Sequence, residues 1–359
     1  ITSKWAKTVK PGSVLPEYPR PHLVRSEWLN LNGLWDYAIA GSDTEKPAGF
    51  DGKILVPFAV ESALSGLKLR LSPRQSLWYR CNFEIPENWN SKNILLNFGA
   101  VDWEATVYVN GVEIGSHQGG YDPFSFDITP ALKASGEQEL VVSVWDPTSE
   151  GTQARGKQVT KPGGIWYTPV SGIWQTVWLE PVSQQSISSL KITPDIDNRQ
   201  LSVTALGRTG LTEDYEIKVE AFEDEVQVAT AKGKLNSALI LSIEGARLWS
   251  PDNPYLYDLK VSLEKKGRKV DEVSSYFAMR KISVGITADG HERLFLNNQP
   301  LFQLGTLDQG WWPGGLYTAP SDEALKYDIK ITKESGFNMI RKHVKVEPAR
   351  WYYHCDRMG

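Results

Sequence analysis

The sequence is poor in the features that mark several protein classes. It holds only two cysteines, Cys81 and Cys355, far apart and without metal-type spacing. Both read as free thiols, and they say little about compartment. No apolar run approaches the roughly 18 residues a bilayer-crossing helix needs, so no membrane partner is expected. The opening ITSKWAKTVK has neither a starting Met nor an apolar signal core. Either a leader has been removed or the polypeptide has been trimmed; the periplasm or secretion is favoured over the cytoplasm. A basic excess is missing too, since 39 Lys and Arg stand against 43 Asp and Glu, a net charge of −4. With no basic repeat and no recognition-helix motif, no nucleic-acid partner is expected. Nothing calls for a metal or an organic cofactor.

What is present is a soluble globular composition, 41% hydrophobic and 23% charged, able to bury several cores. A length of 359 residues fits two or three domains. The 14 tryptophans are unusual, and most precede residue 180. Their flat faces can stack on sugar rings, but most are expected to fill β-sandwich cores.

From about 30 to 182, short β-type runs such as LWDYAI, KILVPF, NILLNFG and ELVVSVW alternate with turn signals, the pattern of an all-β sandwich. Asn110-Gly111 between ATVYV and VEIGS predicts a type I′ hairpin. Alternation in WYRCNFEI puts Tyr79, Cys81, Phe83 and Ile85 on a buried face and Trp78, Arg80, Asn82 and Glu84 on a solvated one. Between 184 and 284 about seven short strands suit an immunoglobulin-like sandwich, without the Cys-Trp-Cys hallmark. LWSPDNPYLY, with Pro251 and Pro254, reads as a corner between two of them.

From 285 the grammar changes. LFLNNQPLFQLGTL gives a hairpin-like lead and a strand. SDEALKYDIKITKESG gives a helix with Ser321 as N-cap, Asp322 and Glu323 in the first turn and Gly336 as its stop. Its apolar stripe is expected to run through Leu325, Ile329 and Thr332, with Ala324, Tyr327 and Ile331 alongside. FNMIR reads as a buried strand, and Pro348 as the first position of a second helix. Strand, helix, strand, helix opens a parallel α/β unit.

Four stretches, RSEWLNLNGLWDY, VDWEATVYVNGVEIGSHQGGYDPFSFDIT, GGIWYTPVSGIWQTVWLEP and GFNMIRKHVKVEPARWYYHCDRMG, resemble glycoside hydrolase family 2, the β-galactosidases, β-glucuronidases and β-mannosidases. The resemblance implies a mainly β chain: a jelly-roll sugar-binding domain over 1–183, an immunoglobulin-like sandwich over 184–284, and the first two βα units of a (β/α)8 TIM barrel over 285–359. It implies a retaining β-glycosidase acting on terminal β-linked sugars, with two catalytic glutamates closing barrel strands 4 and 7. On this reading the chain is a fragment, those glutamates lie beyond residue 359, and residues 1–359 alone do not turn over substrate. The alternative is a non-catalytic carbohydrate-binding or scaffold protein. A homo-oligomer is compatible with the sequence.

What the resemblance leaves here is part of a substrate pocket, because barrel sites form at the C-terminal ends of strands. Asp308 is a candidate for sugar hydroxyls, Trp311 or Trp312 for stacking on a pyranose, and Arg341 for orienting a catalytic carboxylate. His343 joins them after strand 2. Trp166, or its neighbour Tyr167, is a candidate for a pocket wall from the first domain, and Glu61 for a sugar-contacting loop. The remaining acids of the segment, Asp322, Glu323, Asp328, Glu334, Glu347 and Asp356, read as solvated helix charges or caps.

Overall fold

The computed structural model describes residues 2–44, 46–208 and 215–359. Alternating apolar residues first build a sandwich of two antiparallel sheets. The larger runs in the order Gly52–Val56, Gly33–Gly41, Gln75–Phe83, Gln138–Trp145, Glu104–Val109 and Val112–Gln118. The smaller runs Leu29–Asn30, Val177–Val182, Asn93–Phe98 and Phe124–Asp127. Between them Trp35, Leu77, Tyr79, Leu96, Val107 and Val142 form one core. Each fully buried large apolar side chain contributes about 1.5–3 kcal/mol, which is why five tryptophans of this sandwich, Trp35, Trp78, Trp89, Trp174 and Trp178, are buried.

Asn110 and Gly111 both take positive φ, 51° and 81°, as the I′ turn requires. Tyr79 and Phe83 face the core as alternation predicts, but the opposite face is not solvated throughout. Trp78 is buried there with Ala38 and Val141, stacked on Tyr108 at 6.2 Å. Phe50 packs on the same cluster, so the indole is covered instead of wetted.

The second sandwich has seven strands among the described residues. Three, Ile187–Asp195, Gln200–Gly207 and Ala238–Ser242, face four, Val226–Lys234, Tyr215–Glu223, Tyr257–Lys265 and Arg268–Phe277. Leu201, Val203, Ile217, Val219, Leu259 and Val261 meet in its core. The stretch holding Pro251 and Pro254 turns the corner between Ala238–Ser242 and Tyr257–Lys265, with Ser250 bridged to Asn253.

A buried ionic network joins the sandwiches. The Glu180 carboxylate, with no exposed surface, accepts from Tyr18 Oη at 2.5 Å, Trp178 Nε1 at 2.6 Å and Arg20 Nη2 at 2.8 Å. Arg25 Nε lies 3.3 Å from the same carboxylate, while its Nη1 donates to Asp271 at 2.5 Å. One cluster thus holds the N-terminal segment, the first sandwich and the second.

Beyond the second sandwich a hairpin, Ile282–Ile286 with Glu292–Leu296, leads to a parallel pair, Gly305–Asp308 with Met339–Lys342. Helix α1 (Asp322–Glu334) lies between the paired strands in sequence, and α2 (Ala349–Met358) follows. Ser321 Oγ accepts from the Ala324 amide at 3.3 Å, and Gly336 follows the helix at φ +87°. Three expectations are corrected. Tyr327 and Ile331 are exposed, because only Ala324, Leu325 and Ile329 meet α2 and Trp312 in a core. Met339–Lys342 is not a buried strand, because Gly305–Asp308 is its single neighbour in the sheet. Pro348 caps α2 and does not occupy its first position. No closed barrel forms among the described residues.

The hairpin shows solvent an apolar face, with Ile282 68%, Val284 63% and Ile286 74% exposed. Threonine keeps β propensity while removing apolar surface. The triple change Ile282→Thr, Val284→Thr and Ile286→Thr is expected to cut anilinonaphthalene-sulfonate fluorescence of the purified chain by at least about half, with a Tm change of no more than about 2 °C.

Candidate functional site at the strand tips

Strand alternation sorts the tip residues before any contact is considered. Leu307 pairs with Arg341 and Asp308 with Lys342, so Arg341 shares one face with Leu307 and Asp308 shares the other with Lys342. The Lys342 face is covered, since its Nζ lies 4.4 Å from the Trp351 ring of α2. The Arg341 face is open: both Leu307 and Arg341 are exposed.

On the covered side two lysines and two acids interlock. Lys342 Nζ donates to Asp308 Oδ2 at 2.5 Å and Glu347 Oε1 at 2.8 Å. Lys345, with 0% of its side chain exposed, lies 3.0 Å from Glu347 Oε2 and donates to the carbonyls of Gly310 at 2.8 Å and Tyr317 at 2.7 Å. Burial lowers the Lys345 pKa, and Glu347 opposes that. Its ammonium also sits 4.9 Å from the Tyr317 ring and 5.6 Å from Trp174 of the first sandwich.

That sandwich reaches the tips through the loop between Trp145 and Gly172. Tyr167 stacks on Trp311 at 4.5 Å and 26°, and Trp311 leans on Tyr317 at 4.6 Å. Gly156, at φ +59°, fills a place where a Cβ would fall 2.3 Å from the Val344 carbonyl and 3.0 Å from Tyr121 Oη. The loop is anchored at its base by buried polar groups. Gln158 donates from Nε2 to Asp102 at 2.8 Å and accepts at Oε1 from the Val170 amide at 2.6 Å. Ser171 donates its hydroxyl to Asp146 at 2.7 Å and its amide to Glu61 at 2.9 Å.

Three carboxyl groups therefore gather without a cation. Burial pushes the Asp102 carboxyl well above the usual range, and Asp146 pushes it further. Burial also raises Asp146, against hydrogen bonds from Ser171 and Thr148. Glu61 is pushed up to about 8 by burial, and its Oε1 is shielded without a partner. Among the described residues no group of His, Cys, Asp and Glu has a metal-holding arrangement.

Residues 57–171 match the model of the glycosyl hydrolase 2 galactose-binding domain-like family, and residues 185–280 match that of glycosyl hydrolases family 2. The chain carries two domains of the glycosyl hydrolase family 2 kind. It is similar to a putative beta-glucuronidase of Formosa agariphila, 29% identical over 297 residues, covering 80% of this chain and 34% of that protein. A beta-galactosidase of Thermoanaerobacter pseudethanolicus is 28% identical over 298 residues, covering 79% of this chain and 38% of that one. The chain thus spans little more than a third of these two curated relatives. Among solved structures, the Ruminococcus gnavus b-glucuronidase in complex with C6-substituted uronic isofagomine shares the fold at TM-score 0.78 and 22% identity, over 96% of this chain and 60% of that one. A beta-glycosidase from Bacteroides vulgatus gives TM-score 0.75 and 23% identity, over 93% and 44%.

At the strand tips and the sandwich loop the sequence candidates separate. Trp311 lies at the seam, its Nε1 buried and unpartnered. Trp312 belongs to the helix core instead. Arg341 points from the open face, and the His343 amide donates to the Asp308 carbonyl at 2.9 Å. Asp308 is held by Lys342 on the other face. Trp166 stands 43% exposed at the loop tip, bridged to Gly163. Glu61 serves the loop's base. Asp322 and Glu347 are not solvated helix charges: Asp322 is buried against Arg350 at 2.6 Å and His354 at 2.8 Å, and Glu347 against the lysines. The roles of Lys342, Lys345, Tyr121 and Tyr317 were missed. The only signal was the density of charge in RKHVKVEP just past a strand.

Two outcomes follow from burial. Removing one partner of a buried ion pair costs about 3–5 kcal/mol, while replacing both by apolar groups is often neutral. Chemical denaturation should show Lys345→Met destabilised by that amount and Lys345→Met with Glu347→Leu recovering most of it. Glu61 has a folded pKa above its unfolded value, so its ionisation opposes folding as pH rises from about 4.5 to 8. Glu61→Gln is expected to match the parent at pH 5 and to exceed it at pH 9 by about 2–4 °C in Tm, measured by calorimetry.

Proposed function

We propose that this chain is the entry portion of a retaining β-glycosidase that hydrolyses terminal β-linked sugars. The observation that carries the reading is the open face of the parallel pair, where Arg341 stands exposed, with the sandwich loop reaching the connection after Gly305–Asp308 through Tyr167 stacked on Trp311. An arginine at a strand tip, facing the side away from the helices, is placed to orient a carboxylate and favour its ionised form. Trp311 and Trp166 would meet sugar rings through their apolar faces, and His343 would supply a hydrogen bond at the rim.

Retaining hydrolysis needs two carboxyl groups about 5–5.5 Å apart, one attacking the anomeric carbon and one protonating the leaving oxygen. Near the tips, Asp308 and Glu347 are tied to Lys342, and Glu347 to Lys345 as well. Neither is free for that work. The reading therefore assigns both roles to glutamates on further βα units, in keeping with relatives more than twice as long as this chain. The tips then make one side of the pocket and the first sandwich makes its wall.

The test uses nitrophenyl β-galactoside, β-glucuronide and β-mannoside. Residues 1–359 alone are expected to release no nitrophenol above the uncatalysed rate. A polypeptide extended through the remaining βα units is expected to hydrolyse at least one substrate with retention, read by proton NMR of the first-formed anomer. In that enzyme Arg341→Ala should lower kcat/KM by about 100-fold or more, a loss of about 2.7 kcal/mol. In residues 1–359 the same change should shift stability by no more than about 0.5 kcal/mol, because Arg341 is exposed and has no partner among the described residues. Turnover by residues 1–359, or an Arg341→Ala enzyme with full activity, would overturn the reading.

A further inference from the structure

A second concavity lies behind the strand tips and shares Tyr121, Tyr317 and Glu347 with their support. Residues 15–22, both sandwiches, α1 and the start of α2 enclose a cleft of 520 Å³, within the roughly 300–1,000 Å³ of small-molecule sites. None of Asp308, Trp311, Arg341, His343, Trp166 or Glu61 lines it.

The walls are chiefly apolar and aromatic. Tyr352 and Val346, both exposed, come from the α2 side, and Tyr121 and Phe124 from the first sandwich. Set among them are hydrated polar side chains: Asp122 and Ser189, exposed, and Gln175, half-buried, face the cleft without a protein hydrogen-bond partner among the described residues. The charges are asymmetric. Arg20 and Arg350 also line the cleft, but they are engaged by Glu180 and Asp322. Glu17 and Asp122 are the lining charges without a salt bridge among the described residues, and both are acidic.

This combination narrows the ligand. A purely apolar guest would desolvate Asp122 and Gln175 without replacing their hydrogen bonds, at about 1–3 kcal/mol each. An anion, including a uronate or a phosphate, would meet two unpaired acids, and the Arg20 and Arg350 guanidiniums that could oppose them are already held by Glu180 and Asp322. A neutral sugar chain satisfies both constraints, because its C–H faces pack on tyrosine and phenylalanine rings while its hydroxyls donate to carboxylate and amide oxygens. We propose that the cleft at the junction of the two sandwiches and α2 is a binding site for a neutral oligosaccharide. It does not depend on the strand tips being a hydrolytic site, and it would serve a non-catalytic chain equally.

The test is calorimetric titration of the purified protein with cellotetraose, β-1,4-galactotetraose and mannotetraose, with tetragalacturonate as the anionic comparison. At least one neutral chain is expected to bind saturably, and the uronate to bind at least about tenfold more weakly. Ser125 is exposed on a strand that lines the cleft, its hydroxyl donating to Asn97 Oδ1 at 2.6 Å, so Ser125→Trp fills the space at the cost of that one bond. It should weaken binding about tenfold or more, as should Gln175→Ala, which keeps the fold if tryptophan is not tolerated. Val226→Thr, on the exposed face of the second sandwich and outside the cleft, should change nothing, and Trp166→Ala reports on the strand tips. Binding that survives both cleft variants, binding lost only in Trp166→Ala, equal binding of the uronate, or no binding of any neutral chain would each overturn the proposal. Nitrophenyl glycoside hydrolysis by an extended enzyme reports on the strand tips separately, so the two readings fail independently.

Discussion

The Lys345 ammonium has no exposed surface, and much of the site's geometry follows from keeping it there. Taking a charged group out of water costs several kcal/mol unless an opposite charge and further hydrogen bonds replace the solvent. Glu347 supplies the charge, and the carbonyls of Gly310 and Tyr317 supply the acceptors. Both carbonyls belong to the long connection after Gly305–Asp308, which pairs Trp312 with Leu316 in a tight bridge. Lys345 ties the two ends of that turn together by bringing two oxygens to one nitrogen. Trp311 lies between those two residues in sequence, so the ring that meets the sandwich loop sits on a turn held by a buried charge.

The same logic operates between the sandwiches. Glu180 is buried and acidic, and Tyr18, Arg20, Trp178 and Arg25 converge on it. Arg25 extends the network to Asp271, which also accepts from the Ile187 amide at 2.7 Å. A buried network of this kind is weak as a source of net stability but strong as a constraint on geometry, since any other relative placement leaves a carboxylate or guanidinium dehydrated and alone. The cleft lies partly on this network, with Arg20 and Trp178 in its lining. Its shape is therefore fixed by the interdomain clamp and not by loops free to collapse.

Much of the fold could be read in advance where a local rule had a local cause. Asn110-Gly111 needed only its two positive φ angles, and Ser321 with Gly336 needed only orphan helix groups to satisfy. The seven strands of the second sandwich were visible as alternation. What escaped was tertiary in origin. Trp78 lies on the outer face of its strand, and nothing within WYRCNFEI announces that Phe50 and Tyr108 will cover it. Tyr327 and Ile331 look apolar enough for a core, but the helix meets its partner along a narrower stripe. At the strand tips, the family resemblance pointed to Arg341 and Trp311 but not to Lys345, because a lysine in a charged run looks solvated until the acid and the carbonyls around it are seen.

The alternation of the parallel pair also explains why the candidates separate as they do. Asp308 and Arg341 are close in any list of tip residues, yet a strand sends successive side chains to opposite faces. Asp308 goes to the side of Lys342 and Trp351, where it completes an ion network that supports the tips from behind. Arg341 goes to the side of Leu307, where nothing covers it. A residue that neutralises a neighbouring lysine adds to structure, whereas a guanidinium left without a partner retains its full hydrogen-bonding capacity for a carboxylate brought to it. The division of labour between support and recognition is therefore set by register, one residue apart along each strand.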